Sequence, residues 1–337
     1  MVDRMTNVDC REQASTVRLV MREYEADVVV AGKEVIADGI AALTLKEVGG
    51  HPLPEWTPGS HIDLIMSSGL VRQYSLCGDP ADRGTWRIAV LREPDERSRG
   101  GSVYVHDSLE HGAEIRIRGP RNHFQLAPSP NYLFIAGGIG ITPIRAMLAE
   151  AEAAGANWKL FYGGRSTESM AFLDELAPYG DRVEFWPQDQ RGLLDLKYIL
   201  GAPQADTLVY CCGPQGLLTA VEERCTSWPA GALRLERFSS STVETEWVNT
   251  PIEVELAQQG VTLTVPADQS VLEAIVAHGV DVMSSCQSGM CGTCETPVLS
   301  GVPEHRDDVL TYEERERNDC MMICVSRSRG DKLVLDI

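Results

Sequence analysis

The sequence predicts a multidomain protein made of an antiparallel β-barrel, an α/β domain with a parallel sheet, and a small α+β domain. Three observations support this order: short β-rich runs as far as residue 126, an alternation of strands and helices over residues 131–238, and a hairpin followed by one short helix after residue 251. A chain of 337 residues is also longer than one ordinary hydrophobic core accommodates. We therefore expect each part to bury a core of its own.

The first domain is predicted over residues 22–127. Its apolar runs are short, rich in β-branched residues and separated by Gly, Pro and Asp, which is typical of an antiparallel barrel. The runs are VVVAGKEVIA, HIDLIM, TWRIAVL and AEIRIRG. Residues 1–21 precede them as an N-terminal tail to which the sequence assigns no role.

The second domain is predicted over residues 128–238. Helical stretches such as PIRAMLAEAEAAG and PQGLLTAVEERC alternate here with the apolar runs YLFIA, WKLFYGG, RVEFW, TLVYC and ALRLE. This alternation predicts a parallel sheet with helices on its faces, in which ligands bind beyond the carboxyl ends of the strands.

A polar linker over residues 239–250 leads to the third domain at residues 251–337. The linker is rich in Ser and Thr and has no apolar period. After it, two alternating runs joined through Gln-Gln-Gly predict a hairpin. Either Asp268 or Ser270 then caps a short amphipathic helix that ends at Gly279.

The composition excludes several classes of protein. A formal net charge of −19 argues against nucleic-acid binding, which needs clustered Lys and Arg. No apolar run approaches the ~20 residues of a membrane-spanning helix, and the N-terminus lacks the apolar core of a signal peptide. We therefore expect a cytoplasmic protein whose ten cysteines are free thiols, metal ligands or redox groups.

The segment SSCQSGMCGTC, residues 284–294, carries the most specific motif. Cys286, Cys291 and Cys294 follow the spacing C-x4-C-x2-C, and Cys324 is a distant fourth candidate. This is the plant-type arrangement in which four thiolates hold a [2Fe-2S] cluster. The two glycines inside the segment relieve the steric limits that a Cβ imposes on so tight a loop.

Two other metal centres compete with this interpretation, and the fourth ligand has two candidates. Structural zinc favours paired C-x2-C knuckles, and only one is present. A Rieske centre needs Cys-x-His pairs, which the sequence lacks. Cys320 competes with Cys324 as the fourth ligand, and Cys324 is preferred because it lies in ICVSR, a strand-like run that can return to the loop.

Two glycine-rich turns follow apolar strands in the second domain. In AGGIGITP, three glycines let a backbone approach a pyrophosphate at the start of a helix: Gly137, Gly138 and Gly140. In CCGPQG, Cys212 and Gly213 follow a later strand of the same sheet. One such turn is a weak signal, whereas two at one sheet edge predict a nucleotide site.

The barrel contributes two further candidates. The segment VRQYSLCGD contains Arg72, Tyr74 and Ser75. These side chains suit, in that order, a phosphate, an aromatic ring and a ring nitrogen of a ligand. RGGS, residues 99–102, is a second glycine-rich phosphate cradle. Either segment alone is equally typical of an ordinary strand and turn.

Taken together, these motifs resemble the ferredoxin-NADP reductase superfamily, and within it the phthalate dioxygenase reductase type. The resemblance covers about residues 22–337 and depends on segments in a shared order: RQYSL, AVLR, RGGS, GGIGITP, YGGR, CCGP, ERF, the cysteine run, HRD, MICVSR and LVLDI. It implies a flavin-binding barrel, a nicotinamide-binding α/β domain and a β-grasp ferredoxin domain, in that order.

The resemblance implies FMN as the flavin and identifies the residues that bind it. Ser75 is expected to hydrogen-bond near N5 of the isoalloxazine. The residues concerned are Arg72, Gly100, Gly101 and Ser102 for the phosphate, and Tyr74, Ser75, Ala89, Val90 and Leu91 for the ring.

The resemblance also implies how the nicotinamide nucleotide is bound. Thr142 and the glycines before it face the nucleotide, together with Gly213, and Arg165 lies on its adenosine side. Cys212 faces the nicotinamide, and Phe238 covers the hydride-transfer face of the flavin until the nicotinamide displaces it. Ser75, Cys212 and Phe238 are thus the catalytic candidates. NADH is preferred to NADPH, although Ser166 stands where an acid would select NAD.

The predicted function is an NADH-dependent reductase that uses FMN and a [2Fe-2S] cluster. It delivers single electrons to a separate terminal oxygenase, which the resemblance suggests is a Rieske-type aromatic oxygenase or O-demethylase. A cytochrome P450 and a corrinoid-dependent demethylase are alternative acceptors, and a non-catalytic iron-sulfur sensor is an alternative of another class. We expect a monomer.

The charge of the third domain predicts how the partner is found. Residues 251–337 contain 6 Lys and Arg against 15 Asp and Glu, so 6 − 15 = −9 of the formal charge lies there. Such a field steers association with a basic docking surface. Glu295, Glu304 and Asp307 are the predicted contacts, because they lie near the cysteine loop in sequence.

Overall fold

The first part of the chain folds as an antiparallel sheet of six strands. The structure, a computed structural model, describes residues 23–94, 96, 98, 100–238 and 247–337. The strand order is β4-β3-β6-β1-β2-β5, and a bridge between Leu76 and Ile88 joins its two ends, as the predicted barrel requires. Its elements are β1 (Glu25–Ala37), β2 (Ile40–Glu47), β3 (His61–Ile65), β4 (Val71–Ser75), β5 (Trp86–Leu91), α1 (Gly101–Asp107) and β6 (Glu114–Arg121).

The second part is a parallel sheet with helices packed on it. The strand order is β11-β10-β7-β8-β9, and every pairing is parallel. The prediction of an α/β domain is confirmed. Its elements are β7 (Asn131–Gly137), α2 (Ile141–Ala153), β8 (Asn157–Gly164), α3 (Leu173–Leu176), β9 (Val183–Pro187), α4 (Gln188–Arg191), α5 (Leu196–Leu200), β10 (Thr207–Cys212), α6 (Gln215–Arg224) and β11 (Leu233–Glu236).

The third part is a mixed sheet with one short helix against it. Its main sheet has the order β13-β12-β18-β14-β16, and β15 pairs with β17. The parallel pairing of β12 with β18 brings the two ends of this part side by side. Its elements are β12 (Ile252–Leu256), β13 (Val261–Val265), α7 (Val271–Ala277), β14 (Glu295–Ser300), β15 (Pro303–Glu304), α8 (Tyr312–Arg317), β16 (Cys320–Met322), β17 (Arg327–Ser328) and β18 (Lys332–Leu335).

Two local predictions for this part concerned the residue that caps α7 and the conformation of the ICVSR segment. Ser270 caps α7, because its side chain accepts from the N–H of Glu273 while Glu273 accepts from the N–H of Ser270. The prediction that ICVSR is strand-like is wrong. Residues 323–325 form a turn between β16 and β17, and this turn carries Cys324.

Each part buries an apolar core of its own, as its length predicts. Representative buried side chains are Leu43 and Trp86 in the first part, Phe134 and Tyr162 in the second, and Val254 and Ile275 in the third. The predicted tail over residues 1–21 and residues 239–246 of the predicted linker lie outside the described residues. The predicted domain boundaries stay predictions.

Candidate active site

A cavity of about 580 Å³ lies where the three parts of the chain meet. Its volume is within the ~300–1,000 Å³ range of small-molecule sites. Predicted site residues from all three parts line it: Arg72, Tyr74, Ser75, Ala89, Val90, Leu91, Gly101, Ser102, Thr142, Phe238 and Cys286. The structure therefore brings every predicted flavin residue except Gly100, and one predicted cluster ligand, to a single space.

The barrel wall of the cavity is formed by β4, β5 and the start of α1. Gly101 lies directly against Arg72, since a Cβ at Gly101 would come within 2.4 Å of the Arg72 Cγ. Gly100 has a φ of 85°, which suits glycine. Burial raises the pKa of Tyr74 to about 12, so its hydroxyl keeps its proton at neutral pH.

The two glycine-rich turns of the parallel sheet interlock at its carboxyl edge. Residues 136 and 212 are register partners of β7 and β10. A Cβ at Gly140 would lie 2.2 Å from the carbonyl oxygen of Cys212, and one at Gly213 would lie 3.0 Å from the Cα of Gly137. The glycines are thus required for the two turns to approach each other. Thr142 is buried, and its hydroxyl donates to the carbonyl of Ile139 at 2.9 Å.

Several predicted nucleotide residues do not line this cavity. Arg165 lies exposed at the end of β8, and its carbonyl accepts from the N–H of Asp189. Cys212 is fully buried. The cavity is lined instead by Glu236, which hydrogen-bonds to Cys212 from the neighbouring strand β11.

Glu236 is a candidate that the sequence reasoning missed. Burial raises its pKa to about 8, and its Oε2 has no hydrogen-bond partner among the residues that the structure describes. Burial also raises the pKa of Cys212 well above its ordinary value. A neutral carboxyl group and a neutral thiol therefore lie side by side at pH 7. The available signal was an acid at the carboxyl end of a strand, within the ERF segment.

The four predicted ligand cysteines come together at one end of the third part. Hydrogen bonds link the thiols of Cys286 and Cys291, those of Cys286 and Cys324, and those of Cys294 and Cys324. These contacts from Cys291 and Cys324 hold the pKa of Cys286 far below its ordinary value, and two backbone N–H groups 3.4 Å from its sulfur act in the same direction. In the same contacts the pKa of Cys294 is also lowered, whereas those of Cys291 and Cys324 are raised, so thiolate is favoured at one sulfur of each contact.

Cys320 lies apart from this group. It is on β16, opposite Pro297, and is not among the thiols that contact Cys286, Cys294 or Cys324. Burial, and then the carboxylates of Glu295, Asp319 and Glu314, raise its pKa to about 11. Of the two candidates for the fourth ligand, the geometry therefore favours Cys324.

The prediction that glycines permit the tight cysteine loop is confirmed. Gly289 has a φ of 72°, and a Cβ there would come within 2.7 Å of Val325. Gly292 has a φ of 70°, and a Cβ there would come within 2.8 Å of the ring of His123. The second glycine thus lets the loop lie against the barrel, on a histidine that the sequence analysis did not single out.

The residues present fit the groups that the motifs imply. Four cavity-lining residues carry buried polar atoms without a partner in the described parts of the chain: His61 Nε2, Glu236 Oε2, Arg237 Nε and Ser288 Oγ. A flat heterocycle with several donors and acceptors suits such a cavity. No three His, Cys, Asp or Glu side chains of the described ranges surround a single metal-ion position. The contacts from Cys291 to Cys286, from Cys286 to Cys324 and from Cys324 to Cys294 instead join the four cysteines into one group, which suits a cluster of more than one iron.

Two family models match the chain. The model for the 2Fe-2S iron-sulfur cluster binding domain matches residues 254–329, and the model for the oxidoreductase NAD-binding domain matches residues 134–223. With the cavity between them, these domains define a class of protein: NADH-dependent oxidoreductases that contain FMN and a [2Fe-2S] cluster.

Relatives and solved structures identify the family within this class. The chain is 43% identical to the phenoxybenzoate dioxygenase subunit beta of Ectopseudomonas oleovorans over 89% of this chain and 94% of that protein. It is 34% identical to the structure of phthalate dioxygenase reductase, with a TM-score of 0.68 over 93% of this chain and 98% of that one. It is 46% identical to an intact type IV self-sufficient cytochrome P450 monooxygenase, with a TM-score of 0.87 over 93% of this chain but 41% of that one. The chain belongs to the phthalate dioxygenase reductase family.

Proposed function

We propose that this reductase supplies single electrons to a separate terminal oxygenase, of the Rieske-type aromatic oxygenase or O-demethylase kind. One observation carries the proposal: the cavity that holds the flavin motifs is also lined by Cys286. FMN accepts an electron pair as hydride and releases the electrons one at a time, and a [2Fe-2S] cluster accepts one. The residues around the cavity therefore join a two-electron donor to a one-electron acceptor.

The proposed roles in flavin binding follow from the cavity wall. Arg72, supported by its contact with Gly101, binds the FMN phosphate together with Gly100 and Ser102. Tyr74 lines the cavity and contacts the isoalloxazine ring of the flavin. The further residues assigned to the ring are Ser75, Ala89, Val90 and Leu91, all of which line the cavity.

The proposed roles in hydride transfer involve the far side of the same cavity. Phe238 is 39% exposed and lines the cavity, which suits a side chain that yields its place to the nicotinamide. Cys212 is buried and keeps its proton. It hydrogen-bonds to Glu236, which lines the cavity, and we place this pair next to the nicotinamide. Thr142 and the glycines of its turn bind the nucleotide, as does Gly213, and Arg165 contacts its adenosine side.

We further propose Cys286, Cys291, Cys294 and Cys324 as the cluster ligands. The thiol contacts that join all four, and the separation of Cys320 from them, support this assignment. The iron-loaded protein should show about two irons and one FMN per chain. The test is metal and flavin analysis of the purified protein, and stoichiometric zinc in place of iron would overturn the electron-transfer function.

The prediction that Asp307 contacts the partner protein is wrong. Its carboxylate is buried, where it accepts hydrogen bonds from Ser326 and from the N–H groups of Val309 and Leu310. Glu304 is paired with Arg306. Glu295 is exposed, follows Cys294 directly and lies with Glu314 and Asp319 around Cys320. We therefore propose the surface around Glu295 as the one that meets a basic patch of the partner.

A salt series tests this docking surface. The second-order rate of electron delivery to a candidate oxygenase is expected to fall as ionic strength rises, because the Debye length shrinks from ~10 Å at 0.1 M to ~3 Å at 1 M. Glu295→Lys should lower the low-salt rate and weaken its salt dependence. Glu253→Lys, the same charge change two strands away from β14, is the matched control. Equal effects of both variants would contradict the proposal.

A cytochrome P450 is the second candidate acceptor. It is favoured by the likeness to the self-sufficient P450, of which this chain corresponds to less than half. The two candidates are separated by measuring NADH-driven reduction of a purified Rieske oxygenase and of a purified P450 under identical conditions. Preference for the P450 would replace the first proposal and leave the flavin and cluster assignments unchanged.

Location and oligomeric state complete the proposal. No helix of the described residues is long and apolar enough to cross a membrane. We place the protein in the cytoplasm, where reducing conditions suit its free thiols. It is proposed to be a monomer, which sedimentation of the iron-loaded protein tests directly.

A further inference from the structure

Three cross-strand neighbours of the barrel face the cysteine loop. Asp63 on β3 pairs in register with Gln73 on β4 and with Arg118 on β6. Register partners in antiparallel strands present their side chains on the same face of the sheet. Gln73, Asp63 and Arg118 therefore form a polar row across three strands.

The polar row holds the residues that directly precede Cys286. The hydroxyl of Ser285 donates to Asp63 Oδ1 at 2.8 Å and accepts from Gln73 Nε2 at 3.3 Å. The guanidinium of Arg118 donates to the carbonyl oxygen of Ser284 at 2.8 Å. Two of these three contacts involve a charged group, and such hydrogen bonds are about twice as strong as neutral ones.

The charged centre of the row is built within the barrel itself. Asp63 is fully buried, and Arg118 donates to its Oδ2 at 2.9 Å while Arg121 donates to Oδ1. Burial opposes ionisation of Asp63, but Arg121 and the hydrogen bonds from Ser285, Arg121 and Arg118 outweigh it and lower its pKa. The barrel thus presents a fixed acceptor and a fixed donor, which is the preorganisation that a docking contact needs.

We propose that the polar row is a clasp that positions the cysteine loop, and with it Cys286, against the flavin cavity. It sets the rate at which electrons pass from the flavin to the cluster. Ser284 and Ser285 are the two residues before Cys286, and Cys286 lines the cavity. The contact of Gly292 with His123 supports the loop from its other end. This inference rests on the proposed function, because it concerns a step within that electron path.

Ser285→Ala removes the two hydrogen bonds of the Ser285 hydroxyl, to Asp63 and from Gln73. It leaves the buried Asp63–Arg118 pair in place. Ser284→Ala is the matched control, since Arg118 contacts only the main-chain carbonyl of Ser284 in the contacts observed. Ser285→Thr keeps the hydroxyl and should restore the wild-type behaviour.

The experiment is an anaerobic single turnover with NADH on the iron-loaded, FMN-containing protein. Ser285→Ala should slow the flavin-to-cluster phase roughly tenfold, as expected when one hydrogen-bonded anchor is lost and the docked population falls. The hydride-transfer phase and both reduction potentials should stay unchanged. Hydrogen exchange of the amides in residues 284–290 should increase, which gives a readout independent of activity.

Three results would overturn the clasp: an unchanged flavin-to-cluster phase in Ser285→Ala, an equal slowing in Ser284→Ala, or a shifted cluster potential that accounts for the slower phase. Failure of the proposed function looks different. In that case NADH reduces no cluster in the wild-type protein, even though dithionite does.

Discussion

The buried carboxyl group of Glu236 makes the stability of this protein depend on pH in an unusual direction. Its pKa is raised from 4.5 to about 8 by burial, so the folded protein holds a proton at pH 7 that the unfolded chain releases. Because the folded pKa lies above the unfolded one, stability is fully retained below pH 4.5 and is lost progressively as pH rises toward 8. Between pH 4.5 and 7 this loss amounts to about 3 kcal/mol.

Glu236→Gln tests this reasoning, because glutamine is neutral in both states and keeps the shape of the side chain. At pH 5 the variant and the wild type should unfold at similar temperatures. At pH 7 the variant should unfold roughly 10 °C higher, at ~2–4 °C per kcal/mol. The assay is calorimetry of the FMN- and iron-loaded protein at half-unit steps from pH 5 to 8. Glu223→Gln, on the exposed surface of α6, is the matched control.

One outcome would refute the argument. If the unfolding temperatures of wild type and Glu236→Gln change in parallel from pH 5 to 8, Glu236 is ionised in the folded protein. The neutral carboxyl–thiol pair with Cys212 would then not exist, and the part proposed for it beside the nicotinamide would have to be abandoned.

Three further predictions concern the cofactor sites. Cys324→Ser should lose the cluster absorbance while Cys320→Ser keeps it, as measured by visible spectra and iron content; cluster loss in both variants would contradict the separation of Cys320 from the other thiols. Gly140→Ala should weaken NADH binding severely or unfold the second part, because its Cβ would lie 2.2 Å from a carbonyl oxygen. The control is Gly216→Ala, whose Cβ meets open space and which should bind NADH normally in a titration. Arg72→Leu should raise the FMN dissociation constant about 10- to 100-fold, the loss expected for hydrogen bonds to a charged group, and unchanged fluorescence titrations would rule out its phosphate role.

The sequence alone determined those features that depend on near neighbours in the chain. The spacing of Cys286, Cys291 and Cys294 predicts a cluster loop because the three ligands and the loop's glycines lie within nine residues. The glycine turns after β7 and β10 are predictable for the same reason, since a strand and the turn that follows it are one local unit. The order of the three domains follows from the change in hydrophobic period along the chain.

Only the tertiary structure decided which distant residues meet. ICVSR has the composition of a strand but forms a turn, so Cys324 reaches the cluster loop from a turn. Asp307 lies near the loop in sequence but is buried, whereas Glu295 is exposed. The pairing of Glu236 with Cys212 and the row of Gln73, Asp63 and Arg118 arise from strand register. Register is set by the packing of whole sheets, and a shift of one residue turns every side chain to the other face.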